Sequence, residues 1–182
     1  MICRTLYQTV ENRGNLDEVE KYAPFECTRD DAWLGNGFYF WDTFIDLAHS
    51  WGQTSYSGNY YICETTAEFD EEDELDLYGN TDNILKIREL TLKLQDAYKN
   101  KNITFRFVVN LIRKRTGFNY KVIRIASQDT FLQLKRFNLL INKGRKPYIN
   151  LCPAIQCCVI DKSILKLPVK IVYTNGYNAE CI

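Results

Sequence analysis

The sequence predicts a single α+β domain spanning residues 1–182, and two observations carry that prediction. Segments with two-residue alternation stand towards both ends of the chain, while segments with apolar residues at helical spacing occupy its middle. The chain is also large enough to close a core: 182 residues, 46% hydrophobic and 14% aromatic, suffice for one domain without metal or disulfide support.

The first element is a strand over Ile2–Val10, with Ile2, Arg4, Leu6, Gln8 and Val10 on one face and Cys3, Thr5, Tyr7 and Thr9 on the other. Leu16–Tyr22 reads as a short helix that Pro24 stops. Leu34–Asp42 reads as a glycine-containing turn leading into an aromatic strand. Thr43 with Asp46 resembles a helix start, because Phe44, Leu47, Ala48 and Trp51 then share one helical face. A strand follows over Tyr60–Thr65.

Between Ala67 and Asp76 the chain is strongly acidic, and a run of like charge reads as a solvated loop or helix edge. Ile84, Ile87, Leu90, Leu94 and Tyr98 recur at helical spacing, and a second helix is predicted over Thr104–Arg115 with Gly117 just past its end. No linker composition flanks these helices, so residues 67–117 read as a helical insertion packed on a sheet. The remainder is β-rich, with strands predicted over Tyr120–Ala126, Ala154–Asp161 and Val169–Tyr173. Lys135, Arg136, Lys143, Arg145 and Lys146 lie between the first two of these and read as a solvated loop, with phosphate or nucleic-acid contact as the alternative.

Charge and composition narrow the function. The 23 basic and 23 acidic residues cancel, so no global field draws the protein to a polyanion. Seven cysteines contain no C-x-x-C pair and one histidine stands beside them, which argues against a structural metal. Their odd number, with no apolar signal segment near Met1, predicts buried thiols and a cytoplasmic location. No apolar run approaches the roughly 20 residues that cross a bilayer, so no membrane partner is expected.

The most informative motif is Gly35-x-Gly37-Phe38-Tyr39-Phe40-x-Asp42, followed by a helix containing Ala48. Glycines let a backbone approach a ligand closely, and strand alternation sends Tyr39 to the side opposite Phe38 and Phe40. From the residues alone, Tyr39 is either part of a packed aromatic strand or a ring presented to a ligand.

This motif resembles the G-x-G-hydrophobic-Y-F-x-D segment of the ADP-ribosyltransferases, in the branch of diphtheria toxin and the poly(ADP-ribose) polymerases. The resemblance implies split antiparallel β-sheets around an NAD cleft, with Tyr39 stacked on nicotinamide. The family's first-strand histidine corresponds to Gln8 in Leu6-Tyr7-Gln8-Thr9, and Thr9 stands where the family has glycine. Its late-strand glutamate corresponds to Gln156 in Pro153-Ala154-Ile155-Gln156-Cys157-Cys158. Leu47 and Ser50 occupy the places of a nicotinamide-binding serine and a second stacking tyrosine, and Trp51 is the substitute for that tyrosine. The resemblance implies catalytic roles for Gln8, Tyr39 and Gln156. It implies cofactor contacts from Arg4, Gln8, Thr9, Gly37, Phe38, Tyr39 and Trp51, with Arg4 either clamping a pyrophosphate or lying at the sheet edge in water.

The implied activity is mono-ADP-ribosyl transfer from NAD to a protein or nucleic-acid acceptor, without a metal. Analogy adds a bacterial toxin or phage-defence effector, with an antitoxin or regulatory partner. Cleaving the nicotinamide bond leaves positive charge on the ribose, which a neutral Gln156 does not balance. Glu64 is one candidate to supply the missing carboxylate; a non-catalytic NAD- or ADP-ribose-binding module and a toxin modifying nucleic acid are the rival readings. His49 is expected to take a surface or packing role, and Cys157 and Cys158 to be core thiols.

Overall fold

The computed structural model describes residues 1–99, 103–114, 117–126, 134–144 and 147–175. Its elements are β1 (Ile2–Glu11), α1 (Leu16–Tyr22), β2 (Phe38–Asp42), α2 (Ile45–Ser55), β3 (Tyr60–Phe69), β4 (Glu74–Asp76), α3 (Thr81–Ala97), α4 (Phe105–Arg113), β5 (Val122–Ala126), β6 (Asn138–Leu140), β7 (Tyr148–Asn150), β8 (Ile155–Val159) and β9 (Lys170–Thr174). Seven strands form one mixed sheet in the order β4-β5-β8-β2-β1-β3-β9, and β6 pairs with β7 in a separate hairpin. Only the β4–β5 pairing in that sheet is parallel, so the fold is α+β with a mostly antiparallel sheet.

One irregularity positions everything that follows. β1 pairs with β3 along its whole length, from Ile2↔Phe69 to Glu11↔Tyr60. It meets β2 only at Leu6↔Asp42 and Tyr7↔Trp41. Beyond that point β2 stays with β8, through Phe38↔Val159 to Trp41↔Gln156. The sheet therefore forks between Gln8–Glu11 on one prong and Phe38–Phe40 on the other.

Alternation sorts the core into layers on the two sides of the sheet. One side carries Leu6, Phe40, Ala67, Val122, Cys157 and Val159, closed by Ile164 and Leu165. On the other, α2 covers Trp41, Tyr60 and Ile62 with Leu47 and Ala48, and α4 contributes Val109 to a layer with Leu34, Ile123 and Cys158. α1 places Val19 against Tyr61, Cys63 and Val169. Gly52 lies on the Tyr60 ring so closely that any β-carbon would overlap it, which lets α2 settle onto β3.

Several elements differ from their sequence reading for identifiable reasons. Thr43 does not cap α2: it sits at φ +64, its hydroxyl donates to Asp42 Oδ1 at 2.8 Å, and Phe44 occupies the N-cap with no side-chain bond. Asp46 instead pairs with Arg136. β3 continues past Thr65 to Phe69 because β1 pairs with every residue of it.

The acidic run is not a wholly solvated loop. It forms a 3-10 turn over Glu71–Asp73 and then edge strand β4, in which Glu74 is buried. The reason is neutralisation by distant arginines: Arg4 bonds Glu74 at 2.7 Å and Arg124 bonds Asp76 at 3.2 Å. Of residues 67–117, those up to Asp76 thus include the end of β3 and all of β4, and the helical excursion is α3 and α4.

Helix α4 is capped by the Thr104 side chain, which accepts from Phe107 N; Arg115, its expected last residue, lies outside the described residues. Helix α3 is peripheral, burying only Asn83 and Leu94. The basic stretch forms a 3-10 turn over Lys135–Phe137 and the β6–β7 hairpin, with Arg145 and Lys146 outside the described residues.

Candidate functional site

A cavity of about 720 Å³ occupies the fork and is lined by residues of both prongs, including Gln8, Thr9, Tyr39, Trp41 and Gln156. Its volume falls within the range of small-molecule and cofactor sites. Gln8, Tyr39 and Gln156, far apart in the chain, thus share one wall system. All three tryptophans of the chain, Trp33, Trp41 and Trp51, line it too. Trp41 and Trp51 meet at 6.1 Å between ring centres with planes tilted by 53°. Trp41 is a core residue at 4% exposure, and Trp33 and Trp51 are half-buried.

Each glutamine is already engaged. Gln8 is 7% exposed. Its Oε1 accepts from Phe25 N at 2.7 Å, and its Nε2 donates to Phe25 O at 2.9 Å and to Tyr39 O at 3.4 Å. One side chain thus imitates a strand neighbour across the fork, tying the 25 segment to β1. Gln156 is half-buried, and its Oε1 accepts from Trp33 Nε1 at 2.9 Å.

Tyr39 is the hinge pin of its own turn. Its hydroxyl accepts from Leu34 N at 2.8 Å and donates to Gly35 O at 2.9 Å, so the phenol end is spent on the loop, while the ring packs against the layer of Leu34, Ile123 and Cys158 and forms part of the cavity lining. Burial drives the phenol pKa well above its ordinary value, and Tyr39 stays neutral. Gly35, at φ +82, packs where a β-carbon would overlap Arg113 of α4. Thr9 donates from Oγ1 to Ala48 O at 2.9 Å, which binds the β1 prong to α2.

Three residues expected at the cofactor stand elsewhere. Gly37 packs on β8, where an added β-carbon would lie 2.7 Å from Cys158 Sγ and from Val159 O, so its lack of a side chain serves strand packing. Phe38 points to the opposite face, against the Leu6–Phe40 layer and beneath Lys162. Arg4 shares that face and bonds Glu74 at 2.7 Å and Asp42 at 3.7 Å. It is neither a clamp in the fork nor a solvated edge residue, because β1 lies inside the sheet.

Glu64 lies opposite Tyr7 and is not among the residues lining the cavity. The carboxylates that do line it are Glu11, Glu26 and Asp31. Glu11 pairs with Arg13 at 2.6 Å and Asp31 with Arg29 at 2.9 Å, and both arginines are mostly exposed. Charge therefore gathers at the rim, and amides and aromatic rings furnish the wall between the prongs.

Other titratable groups serve the core. His49 places Nδ1 2.9 Å from the Tyr60 hydroxyl and meets Tyr173 edge-on at 4.7 Å; burial lowers its pKa. Burial pushes the Cys158 thiol up to about 12 and the Cys157 thiol well above its ordinary value. Among the described residues no group of three His, Cys, Asp or Glu side chains is arranged for a metal ion, and no helix is long and apolar enough to cross a membrane.

The sequence reading missed Trp33, Trp41 and Phe25 as cavity residues. Trp41 was within reach, since alternation puts it on the same face as Tyr39. Trp33 gives a weaker signal, its place immediately before the glycine turn.

What the fold and site define is a class: an α+β domain whose antiparallel sheet forks around an aromatic, ligand-sized cavity. Compared with known proteins, the chain matches no family model, no curated protein and no solved structure.

Proposed function

We propose that this chain is an ADP-ribosyltransferase-type domain that binds NAD in the fork, with mono-ADP-ribosyl transfer as its chemistry. One observation carries the reading: Gln8, Tyr39 and Gln156, singled out by the motif resemblance, line one cavity of about 720 Å³ at the fork. The mostly antiparallel sheet, continuous but forked between β1 and β2, is compatible with the split-sheet fold of that family. In this reading nicotinamide lies against the Tyr39 ring, while Arg13 and Arg29, which line the cavity and pair with Glu11 and Asp31, are the cations for the diphosphate.

In the transfer step, the bond from ribose C1′ to the nicotinamide nitrogen breaks and nicotinamide leaves with the electron pair. The acceptor nucleophile then bonds to C1′ and gives up its proton. Positive charge builds on the ribose, and a carboxylate at position 156 would stabilise it. Gln156 supplies a dipole in place of a charge. Loss of one strong electrostatic contact costs about 3 kcal/mol, on the order of a hundredfold in rate, so transfer is expected to be slow.

A second reading, a binder of NAD or ADP-ribose without turnover, is favoured by one contact: the Gln156 acceptor oxygen is already held by Trp33. Two measurements separate these readings. Because the three tryptophans all line the cavity, NAD binding should quench or shift their emission, and a flat titration to millimolar NAD removes both readings. Labelled NAD incubated with cell extract then reports transfer: label on an acceptor, or free nicotinamide, supports the enzyme, whereas binding without either product leaves the binder.

A further inference from the structure

Trp33 is 123 residues from Gln156 in sequence, yet its indole donates a side-chain hydrogen bond to the Gln156 amide. An indole N–H is donor-only. Whatever oxygen or nitrogen assignment an amide is given, the atom 2.9 Å from that N–H must be the acceptor oxygen. The amide is therefore oriented, and its opposite end is a two-proton donor.

Trp33 is itself braced by the helical excursion. Its ring meets Phe105 of α4 at 5.7 Å between centres. Arg113, at the other end of α4, donates from Nη1 to Leu34 O at 2.8 Å, one residue beyond Trp33. Tyr39 closes the same turn by bonding Leu34 N and Gly35 O. The loop is thus gripped at once from β2, at Leu34 N and Gly35 O, and from α4, at Leu34 O. This gives α4 a role that its sequence did not suggest.

We infer that Trp33 is a positioning residue for position 156, and that α4, through Phe105 and Arg113, holds its indole N–H where it locks the acceptor oxygen of that side chain. The inference deepens the NAD reading and rests on it only for its consequence in catalysis; the contact itself stands without any ligand. Two consequences follow. Gln156 offers a ligand its amide protons, so the ligand atom met there is an acceptor such as a hydroxyl or carbonyl oxygen. A carboxylate at 156 would accept the same N–H and be oriented as the amide is, with its second oxygen free.

The test uses the full chain and Gln156→Glu. A hydrogen bond donated to a carboxylate favours its charged form and lowers its pKa. In Q156E the Trp33 indole N–H resonance, assigned by its loss in Trp33→Phe, should shift as the new carboxylate titrates; in the unaltered protein it should not respond to that titration. Trp33→Phe added to Q156E should move the acid limb of NAD cleavage up by about one pH unit. Arg113→Met should weaken NAD binding by about three- to tenfold and move the same indole resonance. If Q156E does not fold, Gln156→Leu serves, shifting the resonance upfield and speeding its exchange with solvent.

An indole signal blind to both changes at position 156 overturns the inference, as does an acid limb that Trp33→Phe leaves in place. Should the indole respond as described in a protein that neither binds nor cleaves NAD, the positioning contact stands and the NAD reading falls.

Discussion

The same two strands, β1 and β2, behave in opposite ways at their two ends. Where they touch, the sheet is laced by ions: Asp42 of β2 takes Arg4 of β1 at 3.7 Å and Arg124 of β5 at 2.7 Å, while Arg4 and Arg124 reach on to Glu74 and Asp76 of β4. Where they part, the connections are neutral, a glutamine copying a strand edge and a phenol closing a turn. The joined end spends its polar chemistry on cross-links between strands. The parted end leaves an aromatic hollow. A fork in a sheet exposes backbone donors and acceptors that would otherwise pair, so it persists only if one end is clamped and the open edges are satisfied by side chains. Asp42 does the first; at the open edge of β2 the Gln8 side chain donates to Tyr39 O and Cys27 pairs with Gly37 through the backbone.

The most severe way to break this contrast is at the clamp. Asp42 is 1% exposed, and Asp42→Ala removes the 2.7 Å partner of Arg124 and the 3.7 Å partner of Arg4, leaving these largely buried arginines with Asp76 and Glu74 alone. Its removal should cost about 3–5 kcal/mol, seen as a lowered urea midpoint and a melting temperature lower by roughly 10 °C. A loss under about 1 kcal/mol would mean that the ion network contributes little.

At the fork, Gln8→Leu orphans the N–H and C=O of Phe25 and should cost about 2 kcal/mol, while leaving the clamp intact. If Gln8→Leu is as stable as the unaltered protein, the amide is not what holds the prong. Tyr39 separates structure from binding. Tyr39→Phe keeps the ring and loses the Leu34 and Gly35 bonds, so stability should fall by about 1–2 kcal/mol with NAD affinity nearly unchanged. Tyr39→Ala should weaken NAD by about tenfold or more. Equal affinities in the two variants would place the ligand away from the ring.

The contrast between the ends also explains which features could be read in advance. β1, α1, β2 and α4 carry their signals locally, in alternation, in Pro24, and in the apolar face of Phe105, Val108, Val109 and Ile112. Tyr39 came from a compact motif of the same kind. The acidic run reads as solvated from sequence because its neutralising partner Arg4 is 70 residues from Glu74, and local charge density says nothing of that. Trp33 carries only the weak signal of its place before the glycine turn, because its contact with Gln156 depends on β8 lying beside β2. Arg4 and Gly37 were assigned to the ligand by motif position, whereas strand pairing and facing direction decide what a side chain touches.

The smallest expected effect is a pH dependence at the clamp. Burial raises the Glu74 pKa above its ordinary value of 4.5, against the opposing pull of Arg4. Stability from a group shifted this way is full below 4.5 and is lost as pH rises through its raised value. Relative to Glu74→Gln, the unaltered protein should therefore lose stability between these two values, as followed by urea unfolding at a series of pH values. Parallel curves for the two proteins would mean that Glu74 titrates no differently in the folded chain.

A structure of the protein crystallised with NAD addresses the main claim most directly. The account predicts nicotinamide within stacking distance of the Tyr39 ring, between the prongs, with Gln156 still held by Trp33. NAD seated on another surface, or a cavity that stays empty at saturating NAD, would contradict it.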